Sequence, residues 1–169
     1  MPHADHQQQA ADTPVRCAVV TVSDTRTEAT DTSGRFIRDR LTGSGFEVVR
    51  YAITPDEPVR IKTLIDELAG TVDAVLLNGG TGISARDQTI DVLQGRLEKE
   101  LPGFGELFRM LSYEEIGAGA MLSRATAGVY RNTLYVAMPG STNAVKLAMT
   151  KLVLPELEHL VWEIVRQQG

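Results

Sequence analysis

The feature that most constrains the fold is a pattern that occurs three times in the first half of the chain: an apolar run, a polar loop and a segment with apolar residues at helical spacing. These units begin at Val15, Phe46 and Asp73. Strand, loop and helix in succession are typical of a parallel sheet, because two parallel strands need a crossover between them, which is usually helical. The pattern therefore predicts an α/β fold built in layers.

The third apolar run, residues 74–77, leads directly into the glycine-rich segment Asn-Gly-Gly-Thr-Gly at 78–82. The run does not alternate, which indicates a strand buried on both faces. Glycines lack the Cβ atoms that keep anions away from main-chain N–H groups, and they permit positive φ angles. Open α/β sheets bind ligands at the carboxyl ends of their strands. The segment is thus a candidate phosphate pocket, with Asp87 as a candidate cation ligand, although a tight turn explains the glycines equally well.

Composition and missing motifs exclude several classes of protein. No Gly-x-Gly-x-x-Gly follows the first strand and no Gly-Lys-Ser/Thr occurs, which argues against ordinary dehydrogenases and P-loop ATPases. The net charge is −5 and the basic residues are scattered, which argues against nucleic-acid binding. No run approaches the roughly 18 apolar residues of a membrane span. Cys17 is the only cysteine and lies in an apolar run, so we expect a buried thiol and a cytoplasmic protein.

The length of 169 residues fits one domain, which can bury about 70% of its unfolded surface without a disulfide or metal. Residues 1–13 are polar and have no periodicity. Such a segment cannot bury enough apolar surface to offset the entropy of ordering it. We therefore predict a disordered tail over 1–13 and a single domain over 14–169.

Two further loops should reach the same edge of the sheet as the glycines. Residues 23–31 separate the first strand from a helix predicted over 32–42, and their hydroxyl groups are candidate phosphate donors. Alternatively, these polar residues serve to cap the helix, through Asp31 or Thr32, which explains the end of the loop equally well. Asp56 follows the second strand, where it either caps the helix that runs to Ala69 or faces the glycine segment.

The second half of the chain offers one acidic candidate and one more glycine turn. Helices are predicted over 89–97 and 103–116, and Glu106 lies in the first turn of the second, where the helix dipole favours an acidic residue whatever its function. Residues 125–130 and 132–138 predict an antiparallel hairpin at a sheet edge. Residues 139–144 then open a helix through Lys151, where Ser141 or Thr142 can cap and free N–H groups favour an anion.

The last segment, residues 152–166, has the spacing of an amphipathic helix that carries His159 and Trp162. We expect both side chains to pack or to contact another subunit rather than to catalyse. His3 and His6 lie in the polar tail and are expected to be solvated rather than to bind a metal.

Taken in order, the motifs resemble those of the molybdopterin-binding family of molybdenum cofactor biosynthesis proteins, and most closely its B branch, over about residues 15–158. The motifs are Thr-Val-Ser-Asp at 21–24, Pro-Asp-Glu at 55–57, Asn-Gly-Gly-Thr-Gly at 78–82, Arg-Asp-Gln-Thr at 86–89, Pro-Gly-Phe-Gly-Glu at 102–106 and Met-Pro-Gly-Ser at 138–141. One such motif is a weak signal, but the ordered series is specific.

The resemblance implies a three-layer α/β/α sandwich with a mostly parallel mixed sheet, assembled as a trimer or a hexamer. It also implies molybdopterin and ATP as ligands, Mg²⁺ as cofactor, and adenylylation of molybdopterin with release of pyrophosphate. The catalytic candidates carried over are Asp56, Asp87 and Glu106, of which Asp56 and Asp87 would hold the metal. The candidates for substrate binding are Ser23, Asp24, Gly79, Gly80, Thr81, Gly82, Pro139, Gly140 and Ser141.

The resemblance leaves two other functions open. Residues 111–117 look like the B branch rather than the dedicated adenylyltransferases, and some B-branch members are thought to lack that activity. A non-catalytic protein that binds or delivers molybdopterin is therefore the main alternative, while the presence of both Asp56 and Asp87 favours the enzyme. A structural oligomer whose glycine turns serve only the fold is the third possibility.

Overall fold

A six-stranded mixed sheet organises the chain in the computed structural model, which describes residues 14–166. The strands are β1 (Arg16–Val22), β2 (Glu47–Thr54), β3 (Ala74–Asn78), β4 (Lys99–Glu100), β5 (Thr126–Tyr130) and β6 (Thr133–Met138), in the order β2-β1-β3-β6-β5-β4. The four strands from β2 to β6 in this order are parallel, whereas β5 and β4 run antiparallel to their neighbours. The predicted disordered tail lies outside the described residues.

Helices cover both faces of the sheet, because the central strands bury side chains on both sides. The helices are α1 (Thr32–Gly43), α2 (Pro58–Leu68), α3 (Thr89–Gln94), α4 (Pro102–Ile116), α5 (Thr142–Ala148) and α6 (Leu154–Val161). One buried cluster joins Val19 and Leu76 to residues of α1, α4, α5 and α6. The other joins Val20 and Leu77 to α2 and α3. The predicted three-layer α/β/α sandwich with a mostly parallel sheet is thus confirmed.

The antiparallel pairing of β5 with β6 was predicted correctly, but the predicted position of this hairpin at a sheet edge was wrong. β6 pairs in parallel with β3, so it lies inside the sheet, and its residues are buried throughout. The two-residue strand β4 covers β5 and forms the edge instead. The turn between β5 and β6 holds Arg131 and Asn132 at φ 45° and 60°, as a tight hairpin turn of the primed type requires.

The helices begin and end close to the predicted positions, with two differences. α3 stops at Gln94, where Gly95 follows, rather than reaching Leu97. The two carboxyl-terminal helices form one helical run that is interrupted by the π-helical segment Met149–Val153 and ends in a second such segment, Trp162–Arg166. Pro155 follows the first π segment. Proline has no N–H for an intrahelical bond, which accounts for the local change in helix type.

Within residues 14–166, no helix is long and apolar enough to cross a bilayer.

The thiol of Cys17 is free and fully buried in β1, as predicted. Burial raises the pKa of Cys17 to about 12, and the nearby Asp73 carboxylate adds to the rise. Because the thiolate is the reactive form, this thiol should not react in the folded protein.

We expect Cys17 not to be labelled by a disulfide reagent at about pH 8 in the native state, and to take up one equivalent of label per chain in concentrated guanidinium chloride. Stoichiometric native labelling at the denatured rate would contradict this burial.

Candidate functional site

The loops that follow the parallel strands meet at one edge of the sheet because these strands end level with one another. Val22 pairs with Thr54, and Asn78 pairs with both Thr21 and Met138. The loops 23–31, 55–57, 79–88 and 139–141 therefore leave the sheet side by side. This edge is the place where open α/β sheets hold their ligands.

The glycine turn can form only with glycine at its first two positions. Gly79 has φ of 93°, and a Cβ there would stand 2.2 Å from the carbonyl oxygen of Val22. Gly80 has φ of 64°, and a Cβ there would stand 2.3 Å from Oγ1 of Thr89 and 2.9 Å from Oδ2 of Asp56. L-residues rarely adopt such φ values, and the space is already taken. Asp56 is therefore in direct reach of the turn.

Asp87 lies beside the same glycine turn, next to Gly82. A Cβ on Gly82 would lie 2.5 Å from Oδ2 of Asp87. The same oxygen accepts hydrogen bonds from the main-chain N–H of Ser84 at 3.1 Å and from its hydroxyl at 2.7 Å. Thr81, between the glycines, is buried. The structure thus brings the two candidate metal ligands, Asp56 and Asp87, to the glycine turn.

Asp56 faces this cleft and does not cap α2. Its Oδ1 accepts from the N–H of Gln88 at 3.2 Å, while Glu57 occupies the N-cap position of α2 without a side-chain bond. The N–H of Asp56 donates to Oδ1 of Asp24 at 3.0 Å. The other oxygen of Asp24 pairs with Arg86. Asp24, predicted to bind substrate, therefore holds the Asp56 loop against the first loop.

The charge distribution of the cleft favours a cation. Desolvation raises the pKa of Asp56, and the carboxylates of Asp87 and Asp24 raise it further, against the N–H of Gln88 and the charge of Arg86. A carboxylate with a raised pKa beside other carboxylates is held in the charged state at a cost in free energy. A bound cation would remove that cost.

The fourth turn of the site comes within contact of the glycine turn. A Cβ on Gly140 would lie 3.0 Å from Cα of Gly79, so the two backbones touch. Ser141 follows as the N-cap of α5, and its Oγ accepts from the N–H of Ala144 at 3.2 Å. Pro139 precedes them at the end of β6 and is half-buried. Ser141, rather than Thr142, is therefore the cap.

Ser23 lies at the start of the first loop. Its Oγ accepts from the N–H groups of Thr25 at 3.2 Å and Arg26 at 3.0 Å, and its own N–H donates to the carbonyl of Thr54 at 2.9 Å. These bonds fix the side chain while leaving the hydroxyl proton for another acceptor.

Two buried oxygens at the site lack a hydrogen-bond partner among the described residues: Oδ1 of Asn78 and Oγ1 of Thr89. Thr89 Oγ1 lies against Gly80, and Asn78 Oδ1 lies 4.0 Å from the Cβ position of Gly140. Unpaired buried polar atoms are uncommon in folded proteins. Both atoms flank the glycine turns of the candidate site.

Glu106 stands apart from these residues. It is exposed on α4 and lines a separate depression of about 150 Å³ with Arg109 and Glu100. Asp56, Asp87 and the glycine turn do not line this depression. The structure therefore does not place this third catalytic candidate in the cleft of this chain.

Sequence reasoning missed the side chains that tie the loops together. Asp31 was considered only as a helix cap, which it is, since it accepts from the N–H of Gly34 at 2.9 Å. It also binds Thr21 and Tyr51 and pairs with Arg26. Arg26 reaches the carbonyl of Gly140, 114 residues away. No local sequence pattern predicts such contacts, because the partners are far apart in the sequence.

Comparisons with known proteins agree with this geometry. The family model described as a probable molybdopterin binding domain matches residues 18–159. Molybdenum cofactor biosynthesis protein B of Bacillus subtilis (strain 168) is 53% identical over 165 residues, which are 95% of this chain and 95% of that protein.

Two solved structures extend the likeness to three dimensions. A crystal structure of a molybdenum cofactor biosynthesis protein B has a TM-score of 0.87 and 49% identity, covering 94% of this chain and 99% of its own. That of a tungsten cofactor synthesizing protein from Pyrococcus furiosus has a TM-score of 0.80 and 36% identity, covering 91% and 99%. By its family match, its identity to these relatives and its fold, the chain belongs to the molybdopterin-binding family of molybdenum cofactor biosynthesis proteins.

Proposed function

We propose that this protein binds molybdopterin by its phosphate at the glycine turns and transfers the adenylyl group of ATP to it with the help of Mg²⁺. The observation that carries the proposal is the convergence of Asp56 and Asp87 on Gly80 and Gly82. Glycine N–H groups suit an oxyanion, and paired carboxylates suit the cation that accompanies a nucleotide.

The phosphate would lie between the glycine turn, residues 79–82, and the turn 139–141. Gly80 and Gly82 would offer main-chain N–H groups without a Cβ in the first turn, and Ser141 would offer one in the second. Ser23 would add a hydroxyl from the first loop. The net charge of −5 does not oppose such binding, since the N–H groups act at contact distance and the field of distant charges is screened by salt.

The residues present fit Mg²⁺ as a partner of substrate phosphates. Within residues 14–166, no group of three or more His, Cys, Asp and Glu side chains is arranged to hold a metal alone. Mg²⁺ needs no such cage, because it takes one or two carboxylates together with waters and phosphate oxygens. Asp56 and Asp87 would hold it, and it would neutralise the negative charge that builds up on the reacting phosphates.

The reaction requires alignment more than a protein nucleophile. A terminal phosphate oxygen of molybdopterin attacks the α-phosphorus of ATP, and the bond from that phosphorus to pyrophosphate breaks. The attacking group is already an anion, so no residue has to remove a proton from it. This chain would supply position and charge, because its N–H groups would bind one phosphate and its carboxylates would bind the cation. Cys17 is buried in β1, away from this chemistry.

The alternative is a protein that binds molybdopterin without adenylylating it. The glycine turns would serve that role equally, but it leaves no cation for Asp56, whose pKa is raised by desolvation and by the carboxylates of Asp87 and Asp24. We therefore favour the enzyme. The single buried, unreactive cysteine suits a cytoplasmic location, which we include in the proposal.

Replacing Asp87 tests the catalytic assignment. Asp87→Asn preserves the size of the side chain and removes the charge that would hold the cation, so the fold should persist. We expect the rate of adenylylation to fall at least about a hundredfold. The assay incubates the protein with molybdopterin and Mg-ATP and measures the AMP adduct by mass.

Asp39→Asn is the matched control, because Asp39 is an exposed residue of α1 that pairs only with Arg38 on the surface. It should leave the rate unchanged. Near-wild-type adduct formation by Asp87→Asn would refute the role of Asp87. Binding of molybdopterin by the wild type without any adduct would establish the non-catalytic alternative, and no heat of binding at all would establish a purely structural protein.

Replacing Asp56 tests the electrostatics of the cleft. Because its pKa is raised, the folded state favours the protonated carboxyl, and this contribution to stability is lost as pH rises through the folded pKa. Asp56→Asn stays neutral at every pH. In the presence of EDTA we expect its melting temperature at neutral pH to equal or exceed that of the wild type, with the difference vanishing in acid. A clear loss of stability at neutral pH would contradict this account.

We also propose that the protein forms a homo-oligomer, a trimer or a hexamer. Support comes from an apolar surface on α4 and the 3₁₀ helix Gly117–Leu122 that follows it. Its exposed side chains are Leu107, Met110, Tyr113, Ile116, Met121 and Leu122. Contiguous exposed apolar residues of this number mark an interface more often than a free surface.

A charge placed in this apolar surface tests the assembly. Met121 is 81% exposed, so Met121→Lys should leave the subunit folded and lower the mass measured by light scattering. Val59→Lys is the control, since Val59 is 76% exposed on α2, outside the surface. An unchanged mass for Met121→Lys, or a wild type that is monomeric at all concentrations, would contradict the proposal.

A further inference from the structure

Asp31 is a fully buried carboxylate at the centre of the loops that form the site. Its Oδ2 accepts from the hydroxyl of Thr21 at 2.6 Å and from the hydroxyl of Tyr51. Its Oδ1 accepts from the N–H of Gly34 at 2.9 Å and lies 3.5 Å from the guanidinium of Arg26. Burial alone would raise the pKa of Asp31, but these partners outweigh it and lower the pKa. Asp31 is therefore ionised.

An ionised carboxylate only accepts hydrogen bonds, which sets the direction of every bond in one chain of contacts. The Thr21 hydroxyl must donate to Asp31, so its oxygen is left to accept. It accepts from Nδ2 of Asn78 at 2.9 Å. The amide of Asn78 is thereby oriented, with its unpaired Oδ1 on the other side. Since Asn78 is the residue before Gly79, this chain of contacts connects the charge of Asp31 to the start of the glycine turn, in addition to the pairing of β3 with its neighbours.

A second chain of contacts runs from Asp31 to the opposite turn. Arg26 pairs with Asp31 and donates from Nη2 to the carbonyl of Gly140 at 3.1 Å. Ser33, two residues after Asp31, donates to the same carbonyl at 2.7 Å. Two donors to one carbonyl restrict the orientation of its peptide plane, and hence the direction of the N–H of Ser141, which lies in that plane and points away from the carbonyl.

We propose that Asp31 is a positioning residue for substrate, which acts through Thr21 and Asn78 on the glycine turn and through Arg26 on the turn at Gly140. The inference rests on the proposed function, because it treats these two turns as the phosphate site. Asp31 touches no substrate. It sets the relative placement of two groups of N–H donors that come from opposite halves of the chain.

The competing explanation is that Asp31 only caps α1 and satisfies its neighbours. The two explanations differ in where the effect of a substitution appears. Asp31→Asn keeps an oxygen for the cap, since Asn caps helices as well as Asp does. It turns an NH₂ group toward the donors of the network and removes the charge that holds Arg26. Tyr51→Phe removes one bond to Asp31 on the side of β2 and leaves both chains of contacts to the turns intact.

The first measurement needs no ligand. In the amide NMR spectrum of the full chain, Asp31→Asn should shift the resonances of both turns, residues 79–82 and 140–141. Thr21→Val cuts only the first chain of contacts and, of the two turns, should shift residues 79–82 more than residues 140–141. Arg26→Gln cuts only the second chain and should shift residues 140–141 more than residues 79–82. These two variants decide the question even if Asp31→Asn does not fold.

The second measurement is the dissociation constant for molybdopterin by isothermal titration. Asp31→Asn, or Thr21→Val and Arg26→Gln in its place, should weaken binding at least about tenfold, because misplaced donors lose contact with the phosphate. Tyr51→Phe should bind like the wild type although it also loses stability. Equal loss of affinity in Tyr51→Phe, or unchanged turns and affinity in the other variants, would overturn the proposal. A wild type that binds no molybdopterin would overturn the proposed function instead, while the resonance shifts would still report on the role of Asp31.

Discussion

The parallel pairing of β3 with β1 on one side and β6 on the other is the interaction on which the site depends. It sets Thr21, Asn78 and Met138 side by side at one edge of the sheet, and each is followed by a loop that carries candidate residues. Parallel strands also require the helical crossovers that form the outer layers. The same pairing therefore produces both the three-layer fold and the convergence of turns that are distant in the chain.

The carboxylates around this edge fall into two groups with opposite electrostatics. Asp31 is surrounded by donors, so its pKa is lowered and its charge is satisfied within the fold. Asp56 is desolvated and faces Asp87 and Asp24, so its pKa is raised and its charge lacks a full partner. The first arrangement stabilises a loop network, whereas the second would be stabilised by the cation of the proposed function. The two acids therefore differ in whether the fold itself supplies the partners of the carboxylate.

Most of the fold was predictable from the sequence because apolar periodicity, glycine and proline report on local structure. The runs after Val15, Phe46 and Asp73 became β1, β2 and β3, and the layers follow from them. The edge position was not predictable, because β4 has only two residues and no pattern of its own. The π-helical segments near Pro155 likewise need the three-dimensional context.

The candidate site, like the fold, was predictable from the sequence only in part. Glycine turns and acids after strands are visible in the sequence, and the structure brings Asp56 and Asp87 to Gly80 and Gly82. The network of Asp31 joins residues up to 114 positions apart, Arg26 and Gly140, so no spacing rule reveals it. Glu106 satisfied a local rule for helix starts, and the structure leaves it outside the cleft of one subunit. A local sequence pattern can therefore indicate a candidate residue, but only the topology of the fold shows which site the residue belongs to.

The most direct test of the account is a crystal structure of the protein with molybdopterin bound. The account predicts the terminal phosphate within hydrogen-bonding distance of the N–H groups of residues 80–82 and of Ser141, with Asp56 and Asp87 facing the open side of that phosphate. A phosphate bound elsewhere, with the glycine turns untouched, would contradict it.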